Sequence, residues 1–192
     1  IKGGGDDETA VRLKVEEFGA LWTALKMDAD IDIASIIDDV VPGDTRETGP
    51  SVGEYFLYAI LNRMVDPRSK RALPEWYGKS AISVIRPVDV EELSSDRYWA
   101  KWDRVSQDHI EEIQRRFFRR VWEVEQPDVD CLLFDTTNYY TFMDSQTGSE
   151  LARRGKNKAG RDNLRQVGLG LLAARDTRLP LFSVVYPGNR HD

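Results

Sequence analysis

The spacing of apolar residues changes at about residue 128 of this 192-residue chain, and this change constrains its fold more than any other feature. Before that point apolar residues recur every three to four positions, which is the period of one face of an α-helix. After it they form short runs or alternate along the chain, as they do in β-strands. The sequence therefore predicts an α+β protein in which a helical region precedes a sheet.

The helical region is expected over residues 11–126, after a glycine-rich, charged tail at residues 1–10 that is expected to be disordered. Ser51 and Glu54 have the spacing of a capping box, in which each side chain satisfies a free backbone amide of the other residue. The clearest helix is predicted at roughly 107–125, because one apolar stripe continues through the whole segment. Its C-terminal limit is predicted by Pro127.

Three strands are predicted in the second region. They are "VDCLLFDTT" from residue 129, "QVGLGLLAAR" from residue 166 and "LPLFSVVYPG" from residue 179. The connection between the last two has the length of a hairpin. Gly168 and Gly170 fall on one face of the second strand, where glycine is expected only if another group approaches closely. Three successive strands predict the opening of a mixed sheet whose crossover helices are still to come.

The net charge of −6 argues against a uniformly basic nucleic-acid-binding protein, but the charge is unevenly distributed. Residues 1–50 carry twelve acidic and five basic side chains, whereas residues 151–165 carry six basic and one acidic. The six are Arg153, Arg154, Lys156, Lys158, Arg161 and Arg165. This basic segment is either a solvated loop or a contact for a polyanion, of which nucleic-acid phosphate is the commonest. We favour the phosphate contact.

Asp135 ends an apolar run and is followed by "TTN". One interpretation is an Asx turn, in which its carboxylate accepts hydrogen bonds from the amides of Thr137 or Asn138. The other is a catalytic or metal-binding carboxylate at the end of a buried strand. Spacing alone does not separate the two. A single carboxylate cannot hold Mg²⁺, which takes several oxygen ligands, so any such site needs further groups.

Several classes of protein are not supported. No stretch approaches eighteen consecutive apolar residues, so neither a membrane span nor a membrane partner is predicted. The single cysteine, Cys131, excludes an internal disulfide and fits a cytoplasmic location. No cysteine and histidine spacing for zinc and no glycine-rich phosphate loop is present. Because the chain begins at Ile1 and ends soon after a strand, we expect it to be part of a longer polypeptide.

Four segments together resemble insertion-sequence transposases that have an Asp-Asp-Glu catalytic centre. They are "YAILNRMVDPRSKRAL", "DRYWAKWDRV", "LLFDTTNYYTF" and "RRGKNKAGRDNLRQVGLGLLAARDTRLPLFSVVYPGNRHD". The resemblance covers roughly residues 50–192, and the order and spacing of the segments make it specific. It implies that residues 11–126 are a DNA-binding region and that residues 128–192 hold the first three strands of an incomplete RNase H-like domain. It also implies a homodimer that cuts and joins DNA at terminal inverted repeats with Mg²⁺ or Mn²⁺.

The same resemblance implies roles for particular residues. Asp135 matches the first catalytic aspartate, which is also a metal ligand, and the segment 153–165 matches the basic loop of the family. The second aspartate and the glutamate would lie beyond Asp192, so this chain alone is expected to be inactive and to bind no metal. Two alternatives stay open. One is a DNA-binding or regulatory remnant without catalysis, and the other is a different RNase H-like nuclease such as a resolvase.

Overall fold

The structure is a computed structural model that describes residues 18–43, 49–143, 148–156, 160–161 and 163–190. Contacts divide the chain into two compact units, residues 1–113 and 114–192. The predicted tail at residues 1–10 and the first residues of the predicted helical region lie outside the described residues.

The first unit is helical, as the periodicity predicted. Its α-helices are α1 (Gly19–Asp28), α2 (Ile33–Asp38), α3 (Val52–Val65), α4 (Leu73–Lys79), α5 (Ile82–Ile85), α6 (Ser95–Trp102) and the start of α7 (Gln107–Glu125). Two 3-10 helices, Lys70–Ala72 and Val90–Leu93, precede α4 and α6. The capping box is confirmed, because the Ser51 hydroxyl accepts from the Glu54 amide and the Glu54 carboxylate accepts from the Ser51 amide, both at 3.1 Å.

Helix α3 lies at the centre of the core of this unit. It approaches α2 so closely that a Cβ added at Gly53 would lie 2.0 Å from the carbonyl oxygen of Ala34. The Gly53 amide also donates to the Asp38 carboxylate at 2.8 Å. A residue without a side chain is therefore required where the two helices meet.

Two buried tyrosines of this core differ in their hydrogen bonding. Tyr58 and Tyr77 pack edge to face with ring centroids 5.6 Å apart. The Tyr77 hydroxyl donates to the carbonyl of Arg86 and accepts from the amide of Val88, each at 2.6 Å. The fully buried Tyr58 hydroxyl has no hydrogen-bond partner among the described residues. Burial, helped by the nearby Glu54 carboxylate, raises the pKa of Tyr58 to about 12.

The second unit contains an antiparallel sheet. Its strands are β1 (Leu132–Thr141), β2 (Arg153–Arg154), β3 (Arg165–Ala174) and β4 (Pro180–Pro187). β3 is central, with β1 on one edge and both β2 and β4 on the other. The three predicted strands and the hairpin between the last two are confirmed. A short fourth strand, β2, lies where a loop was predicted, and all pairings within the described part are antiparallel.

The register gives the sheet two faces, because successive side chains of a strand point to opposite sides. The glycine face carries Gln166, Gly168 and Gly170 of β3, and the Asp135 face carries the alternate residues. A Cβ at Gly168 would lie 2.2 Å from the ring of Tyr186, and one at Gly170 would lie 2.9 Å from the ring of Phe134. The close neighbours expected at these glycines are thus aromatic rings of the two flanking strands.

The second half of α7 belongs to the unit that contains the sheet. The Gln114 side chain donates to the carbonyl and the hydroxyl of Ser183, the latter at 3.1 Å. The Phe118 ring lies 6.4 Å from that of Phe182 on the glycine face. The limits of α7 agree with the predicted helix at 107–125.

We expect Gly53→Ala to lower the free energy of unfolding by about 1–3 kcal/mol, because the new methyl group overlaps the backbone of α2. Gly78→Ala in α4 is the matched control, since a Cβ there meets no described atom within 4 Å. Gly78→Ala should leave the free energy of unfolding unchanged or raise it by up to about 1 kcal/mol. Urea unfolding followed by circular dichroism measures both, and equal effects of the two substitutions would contradict the close contact.

We expect Tyr58→Phe to leave stability unchanged or to raise it, because it removes a buried hydroxyl without a described partner. Tyr77→Phe should lower stability by about 1–3 kcal/mol, because it leaves the Arg86 carbonyl and the Val88 amide without this hydroxyl. The same urea unfolding experiment tests the pair, and a loss of stability in Tyr58→Phe as large as that in Tyr77→Phe would contradict the assignment.

The pH dependence of the Tyr58 contribution has a definite sign. Because its folded-state pKa is raised above the ordinary value of 10.0, the unfolded chain loses the phenol proton first. Stability should therefore fall as the pH rises from 10 to about 12, and less steeply in Tyr58→Phe. Part of the fall should persist, since burial also raises the pKa values of Tyr77 and Tyr98. Unfolding midpoints measured across this pH range give the comparison.

Candidate nucleic-acid interface

Asp135 lies within β1 and not at its end. It is the fourth residue of a strand that continues to Thr141, and it is paired with Leu171 of β3. The Asx-turn interpretation is wrong, because Thr137 and Asn138 are extended and paired with β3. The threonines and tyrosines that follow Asp135 favour a strand, and cross-strand pairing extends it past the carboxylate.

The prediction that Asp135 lies on a buried strand is also wrong. Leu132, Leu133 and Phe134 are 43–62% exposed, and Asp135 itself is exposed. Among the described residues β1 pairs with β3 alone, so it is an edge strand of this sheet. Its apolar composition correctly indicated a strand but did not indicate whether anything covers it.

The basic segment 153–165 is partly strand. Arg153 and Arg154 form β2, and Arg165 begins β3. Arg154 is directly opposite Arg165, and Arg153 is directly opposite Gln166. Arg154 and Arg165 therefore share the Asp135 face, whereas Arg153 is on the glycine face. Like charges directly opposite in a sheet are destabilising unless another group neutralises them.

The other basic residues of the segment are placed differently. The Arg161 guanidinium lies 5.5 Å from the ring centroid of Tyr140, which belongs to the glycine face. Lys156 follows β2, and its carbonyl accepts a hydrogen bond at 3.2 Å from the Gln166 side chain. Lys158 lies outside the described residues. Of the basic residues of this segment that the structure describes, only Arg154 and Arg165 are shown to share the face that carries Asp135.

The Asp135 face of β1 also carries polar residues that were not predicted to belong to a site. Thr137, Tyr139 and Thr141 follow Asp135 at every second position, and the Tyr139 side chain is 60% exposed. They lead along the strand towards Arg165, which is paired with Thr141. Alternation along "DTTNYYT" is the signal that could have found them. At about 3.3 Å per residue, Asp135 lies about 20 Å along the sheet from Arg165.

Gln166 is a second residue that the sequence analysis missed. It is fully buried, and its Nε2 donates to the carbonyls of Lys156 at 3.2 Å and Gly188 at 2.7 Å. Its Oε1 has no hydrogen-bond partner among the described residues. A buried polar side chain of this kind has no local sequence signal, because its partners are 10 and 22 residues away.

The described residues do not by themselves fit a divalent metal. No group of three histidine, cysteine, aspartate or glutamate side chains lies close enough to hold one within the described ranges. Asp135 can supply one carboxylate, whereas Mg²⁺ takes several oxygen ligands. The donor set around Asp135 therefore does not complete a metal centre, and we assign no reaction step to one.

Comparisons with protein-family models, with curated proteins and with solved structures found no match to this chain. None of the helices in the described part is both long and apolar enough to cross a membrane. Sequence motifs and the geometry of the Asp135 face are thus the basis for any assignment of function.

Proposed function

We propose that the Asp135 face binds the phosphate backbone of DNA and that the chain is part of a DNA transposase. The observation that carries the proposal is the direct pairing of Arg154 with Arg165 on the face that carries Asp135. An arginine fork matches the geometry of a phosphate group and donates two parallel hydrogen bonds to it.

The dimensions of the face suit an extended polyanion better than a small anion. About 20 Å separates the arginine pair from Asp135 along the sheet, which equals the rise of about six base pairs. Thr137 and Tyr139 lie between them, and Thr141 is directly opposite Arg165. Threonine and tyrosine hydroxyls are among the usual donors to phosphate oxygens. A DNA strand can therefore contact the arginines and pass Asp135 on the same face.

The transposase part of the proposal is supported by the sequence resemblance. The resemblance implies an RNase H-like domain, and a helical region followed by antiparallel strands is compatible with it. In this proposal Asp135 is the first catalytic carboxylate of the complete protein, which acts as a homodimer at terminal inverted repeats with Mg²⁺ or Mn²⁺. The remaining carboxylates would come from outside the described residues.

A second candidate function is DNA binding without cleavage, as in a regulatory remnant of a transposase. The observation that favours it for this chain is the incomplete donor set around Asp135 in the described part. Both candidates use the same arginine pair for phosphate contact. They differ only in whether Asp135 takes part in cleavage.

We expect the double substitution Arg154→Gln and Arg165→Gln to weaken binding of duplex DNA. Each lost phosphate contact should lower the slope of log Kd against log salt by about 1, so the pair should lower it by about 2. Titration of labelled duplex at several salt concentrations measures the slope. The matched control is Arg175→Gln with Arg178→Gln, which removes the same charge at the opposite end of β3.

Equal losses of DNA affinity in the two double variants would show that binding depends only on the net charge of the chain. That result would contradict the proposed interface. An unchanged slope in the Arg154 and Arg165 variant would show that the arginine pair is merely solvated. Circular dichroism spectra of both variants establish that folding is retained.

We expect Asp135→Asn to leave DNA affinity equal or slightly higher, because it removes a negative charge from a phosphate-binding face. In the complete protein the substitution should abolish strand cleavage. The loss of activity should exceed the roughly 10–100-fold loss that follows removal of a group that only orients a metal ligand. The control is Asp176→Asn in the β3–β4 turn, an exposed carboxylate. Gel assays measure binding and metal-dependent cleavage for both variants. Cleavage that survives Asp135→Asn would contradict the catalytic role of Asp135, whereas a complete protein that binds DNA but never cleaves it would favour the non-catalytic candidate.

A further inference from the structure

We propose that Gln166 is a positioning residue that holds β2 against β3, so that Arg154 and Arg165 can meet one phosphate. This inference rests on the proposed function for its DNA-binding consequence, but its structural part is independent of DNA. Gln166 is on the glycine face and buried, so it does not itself reach the Asp135 face.

The need for such a residue follows from the length of β2. β2 contains two paired residues, and a pairing this short is not stable by itself. Some other interaction must hold Arg154 opposite Arg165.

The Gln166 side chain supplies this interaction. Its Nε2 donates to the carbonyl of Lys156, two residues after Arg154, and to the carbonyl of Gly188, directly after β4. The Gly188 amide in turn donates at 3.0 Å to the carbonyl of Leu151, which precedes β2. Hydrogen bonds therefore hold both ends of the segment that contains β2. Leu151 before β2 is bonded to Gly188, and Lys156 after β2 is bonded to the Gln166 side chain.

Two glycines make this arrangement possible. A Cβ at Gly188 would lie 1.9 Å from the carbonyl oxygen of Gln166, and a Cβ at Gly155 would lie 2.6 Å from the carbonyl oxygen of Gly188. Both contacts are with backbone, which cannot move aside as a flexible side chain can. The chain must lack side chains at 155 and 188 for the Gln166 amide to reach both carbonyls.

The first test uses the free chain. Gln166→Met keeps the approximate volume of the side chain but removes both donated hydrogen bonds. Hydrogen exchange should then show loss of protection for amides 151–156, while amides 167–173 of β3 remain protected through β1 and β4. Unchanged protection at 151–156 would overturn the positioning role.

The second test is a double-mutant cycle on DNA affinity. Gln166→Met should weaken binding by the same factor as Arg154→Gln, and the combined variant should be no weaker than either. Gln166→Met should act fully in the Arg175→Gln background, because that arginine is at the other end of β3. Additive losses with Arg154→Gln would mean that Gln166 acts only through general stability, and would overturn the proposal.

Gly155→Ala is the second variant and is used in the same way if Gln166→Met does not fold. It should reproduce the loss of protection at 151–156 and the non-additivity with Arg154→Gln without changing any side-chain donor. These experiments separate a failure of the proposed function from a failure of the positioning role of Gln166. If neither Arg154→Gln nor Arg165→Gln changes DNA binding, the function is wrong, whereas hydrogen exchange still decides whether Gln166 holds β2.

Discussion

The pairing of β3 on both of its edges is the interaction on which the second unit depends. It fixes the register of β1, β2 and β4 at once, and register decides which side chains share a face. Arg165 is paired on both sides, with Thr141 of β1 and Arg154 of β2. A shift of one residue would move Arg165 to the glycine face and separate it from Asp135.

The two faces of β3 differ in what surrounds them: aromatic rings pack closely on one face, and the other face carries an arginine pair. On one face, Gly168 and Gly170 leave room for the rings of Tyr186 and Phe134, so that aromatic side chains of the flanking strands cover the central backbone. On the other face, the strand begins with an arginine opposed to another arginine. Such a like-charge pair costs up to about 1 kcal/mol unless it is neutralised. A chain with a net charge of −6 thus places two basic residues directly opposite each other at this end of the sheet.

Much of the secondary structure could be predicted from the sequence, because its signals act within a few residues. The capping box at Ser51, the limits of α7 and the β3–β4 hairpin all follow from local spacing. The burial of β1 was predicted wrongly, because an apolar run shows that a segment can be covered but not that it is. The turn predicted at Asp135 was wrong as well, because pairing with β3 extends the strand through residues whose side chains could also have formed a turn.

The sequence by itself determined where the longest helix and the three longer strands lie, that Ser51 caps a helix, and that basic residues are concentrated at 153–165. Only the tertiary structure decided that Arg154 meets Arg165, that Arg161 lies against Tyr140 instead, and that Gln166 joins two segments that flank the sheet. The physical reason is the range of the interactions. Helical periods and caps depend on neighbours within one or two turns. The hydrogen bonds of the buried Gln166 side chain join residues 10 and 22 positions apart, and the paired residues of β1 and β3 are 24 to 42 positions apart.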